Sequence, residues 1–473
     1  MISFISSIIL LLIGYFLYSR LIERIFGANE NNQTPAYRST DGVDYVPMKW
    51  GKVFLIQFLN IAGLGPIFGA VAGAMWGPVA FLWIVLGNIF AGAVHDYLSG
   101  MISVRRNGAS ISEIVGEWMG NGVKQFMRGF TLILMLLVGA VFVTGPAAIL
   151  NGILDIGIPV WGALVFIYYI LATMLPIDKL IGRIYPLFGF ALIFMAVGIF
   201  WGLLANNYVI PEVFPYGFTN MHHEPEKYPV WPLVFITIAC GAISGFHATQ
   251  SPLMARCIEN EKLGRRVFYG AMVTEGIVAL IWAAAGMAYF GGVDQLNTIM
   301  TEHKGNAAWV VNEISNSLLG KLGGVLALLG VVAAPITSGD TAFRSARLIV
   351  ADFLHLDQKS IKNRMMIVIP LFIIGFLLTQ FDFAIIWRYM AWSNQTLATV
   401  VLWTITLYLA STTKWYYLLT LIPALFMTAV ISTYILVAPE GLQLPYTLSV
   451  ILGIAFSISA GALFFFKKRL AKQ

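Results

Sequence analysis

Thirteen stretches of the chain are mostly apolar over lengths near the roughly 20 residues an α-helix needs to cross a bilayer. They are 2–19, 53–75, 78–100, 128–150, 160–176, 185–205, 231–255, 267–291, 318–342, 365–380, 383–410, 415–437 and 447–466. Two of them carry residues that interrupt a helix. Asn60 to Gly73 reads N-I-A-G-L-G-P-I-F-G-A-V-A-G, with Gly63, Gly65 and Pro66 at mid-span, the residues least able to continue a helix. Ala239 to Pro252 reads A-C-G-A-I-S-G-F-H-A-T-Q-S-P, mixing glycines, hydroxyls, a histidine, a glutamine and a proline. Hydrocarbon offers no partner to a peptide group freed by a break, so such a break must be packed in protein or line a wet cavity.

A kinked, closely packed helix would explain either stretch alone. Their positions say more. The first break is in the second span and the other in the seventh, an odd step along the chain, so the two units run in opposite directions. Interrupted segments at corresponding positions of inverted halves point to a transporter binding site. The predicted organisation is an N-terminal helix and cytoplasmic loop (1–52), a first five-helix repeat (53–205), an extracellular loop (206–230), a second, inverted repeat (231–410), and two C-terminal helices with a basic tail (411–473).

Composition narrows the class. Of 473 residues, 59% are hydrophobic and only 11% charged, about half the charged share of soluble proteins. This predicts an integral membrane protein. With the first loop placed inside, 25 of the 29 Lys and Arg fall on the cytoplasmic side. The outside keeps Lys227, Lys304 and Lys321, and Arg388 lies within a span. That asymmetry puts the N-terminus outside and the C-terminus in the cytoplasm. The net charge of +6 therefore reads as a topology and lipid-headgroup signal rather than a nucleic-acid one. Cys240 and Cys257 lie near opposite ends of one span, which predicts neither a disulfide nor a thiolate metal site. The run Ile2 to Tyr18 has no basic region before it and no small-residue cleavage site, so it reads as a retained first span. No Walker A sequence is present, so ATP is not the direct driving force. Residues 110–126 suggest a short amphipathic helix with Ile111, Ile114, Val115 and Trp118 on one side. His222, His223 and Glu224 in the external loop read as exposed polarity before metal ligation.

Several motifs carry a resemblance. D-G-V-D-Y-V-P at Asp41 to Pro47, Q-F-L-N-I-A-G-L-G-P-I-F-G-A at Gln57 to Ala70, and G-A-V-H-D-Y at Gly92 to Tyr97 resemble the carbon starvation protein A (CstA) family. So do G-F-H-A-T-Q-S-P at Gly245 to Pro252 and W-S-N-Q at Trp392 to Gln395. The resemblance covers nearly the whole chain, which ends sooner than the longer members. It implies an all-α integral membrane protein of the amino acid–polyamine–organocation superfamily, with a leucine-transporter-like 5+5 inverted repeat whose first and sixth helices are broken. It also implies peptide uptake under carbon starvation at the plasma membrane, with proton-coupled pyruvate import in some relatives.

The candidate site follows from the breaks. The half-helix after Gly65-Pro66 offers free N–H groups and a positive dipole end to a carboxylate, so Asn60, Gly63 and Gly65 are expected substrate contacts. Ser244, His247 and Gln250 are the candidates from the second break, and Asn394 and Gln395 from a polar cluster near mid-membrane. The His247 imidazole titrates near neutrality, which suits proton coupling; a neutral histidine bonded to unwound backbone is the alternative. By resemblance to sodium-coupled superfamily members, Thr337, Ser338 and Thr341 with the Ala62 carbonyl would hold a cation. Asp340 would carry a proton or, the favoured reading, pair with Arg344. His95 and Asp96, placed near the cytoplasmic end of their span, read as inner-gate residues, and Arg388 as the partner of an external-gate carboxylate. Glu275 has no assignable partner. No cofactor is expected beyond a coupled Na⁺ or H⁺. The functional expectation is a secondary active importer of peptides working by alternating access, with proton-coupled import of pyruvate or another small carboxylate as the alternative. A channel is disfavoured by two broken helices in one chain, and no nucleophile–base arrangement or signalling domain supports an enzyme or a sensor.

Overall fold

The computed structural model describes residues 1–174, 181–358 and 360–470. Lys179, Lys359, Lys472 and the last residues of the 160–176 stretch lie outside them. Among the described residues there are no strands; Met48 and Ile258 form one isolated bridge.

Helices occupy all thirteen predicted stretches. In chain order they are α1 (Ile2–Phe26), α2 (Trp50–Ile61), α3 (Gly65–Trp76) and α4 (Val79–Arg105). The short α5 (Ile111–Met119) buries Ile111, Ile114 and Val115, as its amphipathic pattern predicts. Then come α6 (Asn121–Ile153), α7 (Ile158–Met174), α8 (Ile181–Ala205), α9 (Val230–Thr237) and α10 (Gly245–Ala255). The remainder are α11 (Glu261–Tyr289), α12 (Val293–Glu302), α13 (Ala307–Leu354), α14 (Ile361–Leu378), α15 (Phe383–Thr412), α16 (Leu418–Val437) and α17 (Tyr446–Leu470).

Nine described helices are long and apolar enough to cross a membrane, ten if the bent pair α2–α3 counts as one span. The tally falls below thirteen partly because the second break divides its span into pieces of 8 and 11 residues. Helix α7 is described over 17 residues, as far as Met174.

Burial separates centre from periphery. The most apolar windows of α4 and α11 are 83% and 89% buried, against 28% for α1 and α17. Leu12, Phe16, Phe190, Ile369 and Ile458 stand exposed on the outer helices, an apolar surface suited to lipid. The inner helices pack around the two breaks: α10 lies against α4, α15 and α2, and α2 lies against α8, α11 and α13. The loop after α8 returns to the start of α1, where the Glu212 carboxylate accepts from the N–H groups of Ile2 (2.8 Å) and Ser3 (2.7 Å). Those amides have no partner within the helix.

Candidate functional site

Helix α2 stops at Ile61 and α3 leaves at an angle of 56°. The Gly63 N–H turns back to the Ile61 carbonyl at 2.9 Å, so the Leu59 carbonyl loses the donor four residues on that a continuous helix would give it. Ser338 of α13 fills the vacancy, donating its hydroxyl to Leu59 O at 3.0 Å. The second half begins at Gly65 itself, not after Pro66. Proline sits within its first turn, where a missing N–H costs no helix bond. Asn60 and Gln57 are buried, and their amides have no hydrogen-bond partner among the described residues.

The second break runs from Ile238 to Ser244, with Gly241 at φ 91°, a conformation that favours glycine. Side chains from other helices satisfy its backbone. Trp83 Nε1 donates to Ile238 O at 3.0 Å, and Asn88 Nδ2 donates to Gly241 O and Met272 O, both at 2.8 Å. Asn394 Oδ1 accepts from the Phe246 N–H at 2.6 Å, near the start of α10, while its Nδ2 lies 3.0 Å from Ser244 Oγ. Gln395 Nε2 donates to Phe235 O at 3.2 Å. Ser244, Asn394 and Gln395 were expected to face cargo; here the Asn394 and Gln395 side chains bond backbone groups of the broken span and Ser244 Oγ bonds Asn394, since a group freed by a break needs a partner in the protein. Gln250 donates to Thr249 Oγ1 at 2.9 Å, and its carbonyl oxygen has no partner among the described residues. The two breaks touch where Gly65 lies on Cys240, so closely that a Cβ at 65 would fall on the Cys240 side chain.

A charged group sits beside them. His247 Nδ1 and His95 Nδ1 each lie 2.8 Å from an oxygen of Asp96, and His247 Nε2 faces Glu275 Oε2 at 3.4 Å. All four residues are fully buried. His95 and Asp96 are therefore not at a water-accessible helix end, as their place in the span had suggested; α4 runs on to Arg105 and α10 covers them. Glu275, which had no assignable partner, has His247. The Cys240, His247 and Glu275 donor atoms lie within 4.8 Å of one another, a grouping the spacing of the two cysteines did not anticipate.

The cation site expected on α13 is arranged differently. Thr337 and Thr341 return their hydroxyls to carbonyls of their own helix, at 2.8 Å to Ala334 and 3.0 Å to Ser338, and Ser338 meets Leu59 rather than Ala62. Asp340 does not pair with Arg344. Tyr185 of α8 donates to Asp340 at 2.7 Å, and Arg344 and Arg347 both reach Asp44 at 3.4 Å. Asp44 belongs to the loop before α2, where Asp41 gathers the N–H groups of Val43, Asp44 and Tyr45 into a turn that aims Asp44 at α13. Burial raises the Asp44 carboxyl, but Arg347, Arg344 and Arg256 outweigh it and hold it below the usual carboxylate range.

On the opposite face, Arg388 reaches Glu440, in the loop after α16, at 3.4 Å. His223 bonds Asp294 at 2.6 Å. His222 packs against the rings of Trp76 and Tyr228, and burial pushes its imidazole down to about 4.

Asn88 and Trp83, which service the second break, were not anticipated from the sequence. Asn88 alone left a signal, as the single amide in the apolar run 79–94.

The family model described as carbon starvation protein CstA matches residues 1–152 and 145–320. The chain belongs to the CstA family. Among CstA relatives, an uncharacterized membrane protein of Haemophilus influenzae is 47% identical over 339 residues, covering 61% of this chain and 91% of that protein. The peptide transporter CstA of Bacillus subtilis is 27% identical, covering 84% of this chain and 83% of the relative. The pyruvate/proton symporter BtsT of Escherichia coli is 30% identical over 59% of this chain, which spans about half of that longer relative (47%). In fold, a manganese transporter of Eremococcus coleocola crystallised with an aromatic bis-isothiourea compound aligns with a TM-score of 0.51 at 14% identity, over 90% of this chain and 97% of that one. The chain is a multi-pass membrane transporter of the CstA family.

Proposed function

We propose that the protein is a secondary active importer of short peptides at the plasma membrane, driven by protons and working by alternating access about the two breaks. The observation that carries this reading is the buried Asp96–His95–His247–Glu275 group beside the contact of Gly65 with Cys240. Cargo carboxylate would be held by the Gly65 N–H at the opening of α3 and by the amide of Asn60, which meets no partner among the described residues. Two carboxylates with no Lys or Arg against them are costly in a dry site, so uptake of a proton there favours the closed form and links its movement to that of cargo. In this reading the fold is a 5+5 inverted repeat of 53–205 and 231–410 within thirteen crossings, N-terminus outside and C-terminus in the cytoplasm. Arg388–Glu440 lies on the outer side and Asp44–Arg344–Arg347 on the inner side.

A second reading, import of pyruvate or another small carboxylate, is favoured by the tight fit of Gly65 against Cys240, and a relative bears the name of a pyruvate/proton symporter. Reconstitution in liposomes tests both, with labelled dipeptides and pyruvate offered under imposed pH and Na⁺ gradients. The expected result is saturable dipeptide uptake driven by an acidic exterior and unmoved by Na⁺. Pyruvate uptake without dipeptide uptake selects the second reading. Uptake indifferent to the pH gradient overturns proton coupling, and non-saturating conductance indicates a channel.

A further inference from the structure

We propose that Cys240, His247 and Glu275 form a binding site for a divalent d-block cation of the Zn²⁺ or Co²⁺ kind, placed between the two broken helices. Three observations carry it. The donor atoms of the three residues lie within 4.8 Å of one another, with Glu275 and His247 fully buried and Cys240 partly open, on the side facing Gly65.

His247 is also set up as a ligand. Its Nδ1 lies 2.8 Å from Asp96 Oδ2, and an ionised carboxylate can only accept, so the proton is on Nδ1 and the Nε2 lone pair points away from Asp96. Ligating histidines are oriented by such a carboxylate on the other ring nitrogen. Asp96 is in turn held by His95 at 2.8 Å, so the orienting group is itself fixed.

The third observation is what Nε2 meets. It stands 3.4 Å from Glu275 Oε2, yet neither atom has a hydrogen-bond partner among the described residues, and Glu275 Oε1 has none either. With the ring proton on Nδ1, Nε2 and Oε2 are two buried acceptors that repel unless a proton or a metal cation lies between them. The Cys240 thiolate adds a third donor, and one sulfur, one imidazole and one carboxylate suit Zn²⁺ or Co²⁺ and not Mg²⁺ or Ca²⁺. A tetrahedral site needs donors roughly 3.3–3.6 Å apart, so Cys240 Sγ, no more than 4.8 Å from the other two donors, closes by about 1.5 Å at most, and the fourth position stays open to water or a cargo carboxylate. Binding replaces the thiol proton of Cys240, which leaves to solvent. A metal and a coupling proton then exclude each other at Glu275, so Zn²⁺ blocks proton-driven import.

The test uses the full chain in detergent or nanodiscs, titrated with Co²⁺ and read by absorption, which needs no transport activity; its failure and failure of the import reading are therefore separable. Wild type is expected to show a saturable thiolate-to-cobalt charge-transfer band that Zn²⁺ removes. Cys240→Ser should lose the band and Cys257→Ser keep it. Asp96→Asn should retain the band with affinity weakened about 10–100-fold, the effect of losing an orienting carboxylate. Should Cys240→Ser fail to fold, Zn²⁺ protection of Cys240 against alkylation in wild type, read by mass spectrometry, gives the same answer. Absence of the band in wild type, its persistence in Cys240→Ser, or alkylation of Cys240 that Zn²⁺ does not slow overturns the proposal.

Discussion

Asp96 on α4 and His247 on α10 meet at 2.8 Å, fully buried, 151 positions apart in the chain. The contact joins the helix following the first broken span to the second half of the other. A buried polar network of this kind has consequences out of proportion to its size, because an unmade bond in a dry interior is expensive.

Import should register that contact through its pH dependence. Replacing His247 by Ala, or Asp96 by Asn, is expected to shift or flatten the pH profile of dipeptide uptake in liposomes while the protein still inserts and purifies. A profile identical to wild type in both variants would remove the pair from proton coupling.

Gly65 has no room for a side chain, since a Cβ there meets Cys240. Gly65→Leu is expected to abolish cargo binding without loss of expression, and Gly65→Ala to weaken it, overpacking costing about 1–3 kcal/mol. Combining Gly65→Ala with Cys240→Gly should restore part of the loss, as neighbouring substitutions do when they share one contact. Equilibrium binding of labelled dipeptide measures both, and additive losses would show that the two breaks do not touch during binding.

Asp44 neutralises two buried guanidiniums, those of Arg344 and Arg347, each 3.4 Å away. Asp44→Ala removes the ion-pair partner of both, leaving Arg344 only the more distant Asp340, and breaking a buried pair from one side costs about 3–5 kcal/mol. The expected result is a lowered thermal unfolding midpoint in detergent together with faster proteolysis of the loop before α2. A midpoint within a degree or so of wild type would show that solvent already reaches the two arginines.

The external loop should loosen in acid. His222 is held neutral in the fold, its imidazole pushed to about 4 from an ordinary value of 6.5. A histidine depressed by folding stabilises the structure fully above its unfolded value, and the contribution drains away as pH falls from about 6.5 toward 4. Hydrogen exchange of residues 218–228 is therefore expected to speed up beyond the intrinsic rate change between pH 7 and pH 4.5, and His222→Phe to abolish the difference. Equal protection at both pH values in wild type would contradict the burial of His222 against Trp76 and Tyr228.

Local chemistry and remote partners were unequally legible. Gly63, Gly65 and Pro66 announce a break because glycine and proline act on their own backbone, whatever surrounds them. Helices accordingly lie where hydropathy put them, and His247 could be singled out as an imidazole in a span. Its two carboxylates could not, since Asp96 and Glu275 come from other helices and no local rule links them. The same limit explains Asp340, whose nearest cation in sequence is Arg344 but whose partner in space is Tyr185. It also applies to Asn394 and Gln395, read as cargo contacts for their polarity, whose bonds to the backbone of the second broken span could not be seen along the chain.

What the sequence by itself determined is the membrane class, the positions of the helices and the two places where they part, because all three depend on composition and backbone chemistry over a few turns. Only the tertiary structure decided which side chains the breaks recruit: Ser338 for the Leu59 carbonyl, Asn88 for Gly241, and Cys240 against Gly65. Hydrocarbon supplies no hydrogen bonds, so every group freed by a break must find a partner in the protein. Which partner it finds depends on how the helices pack.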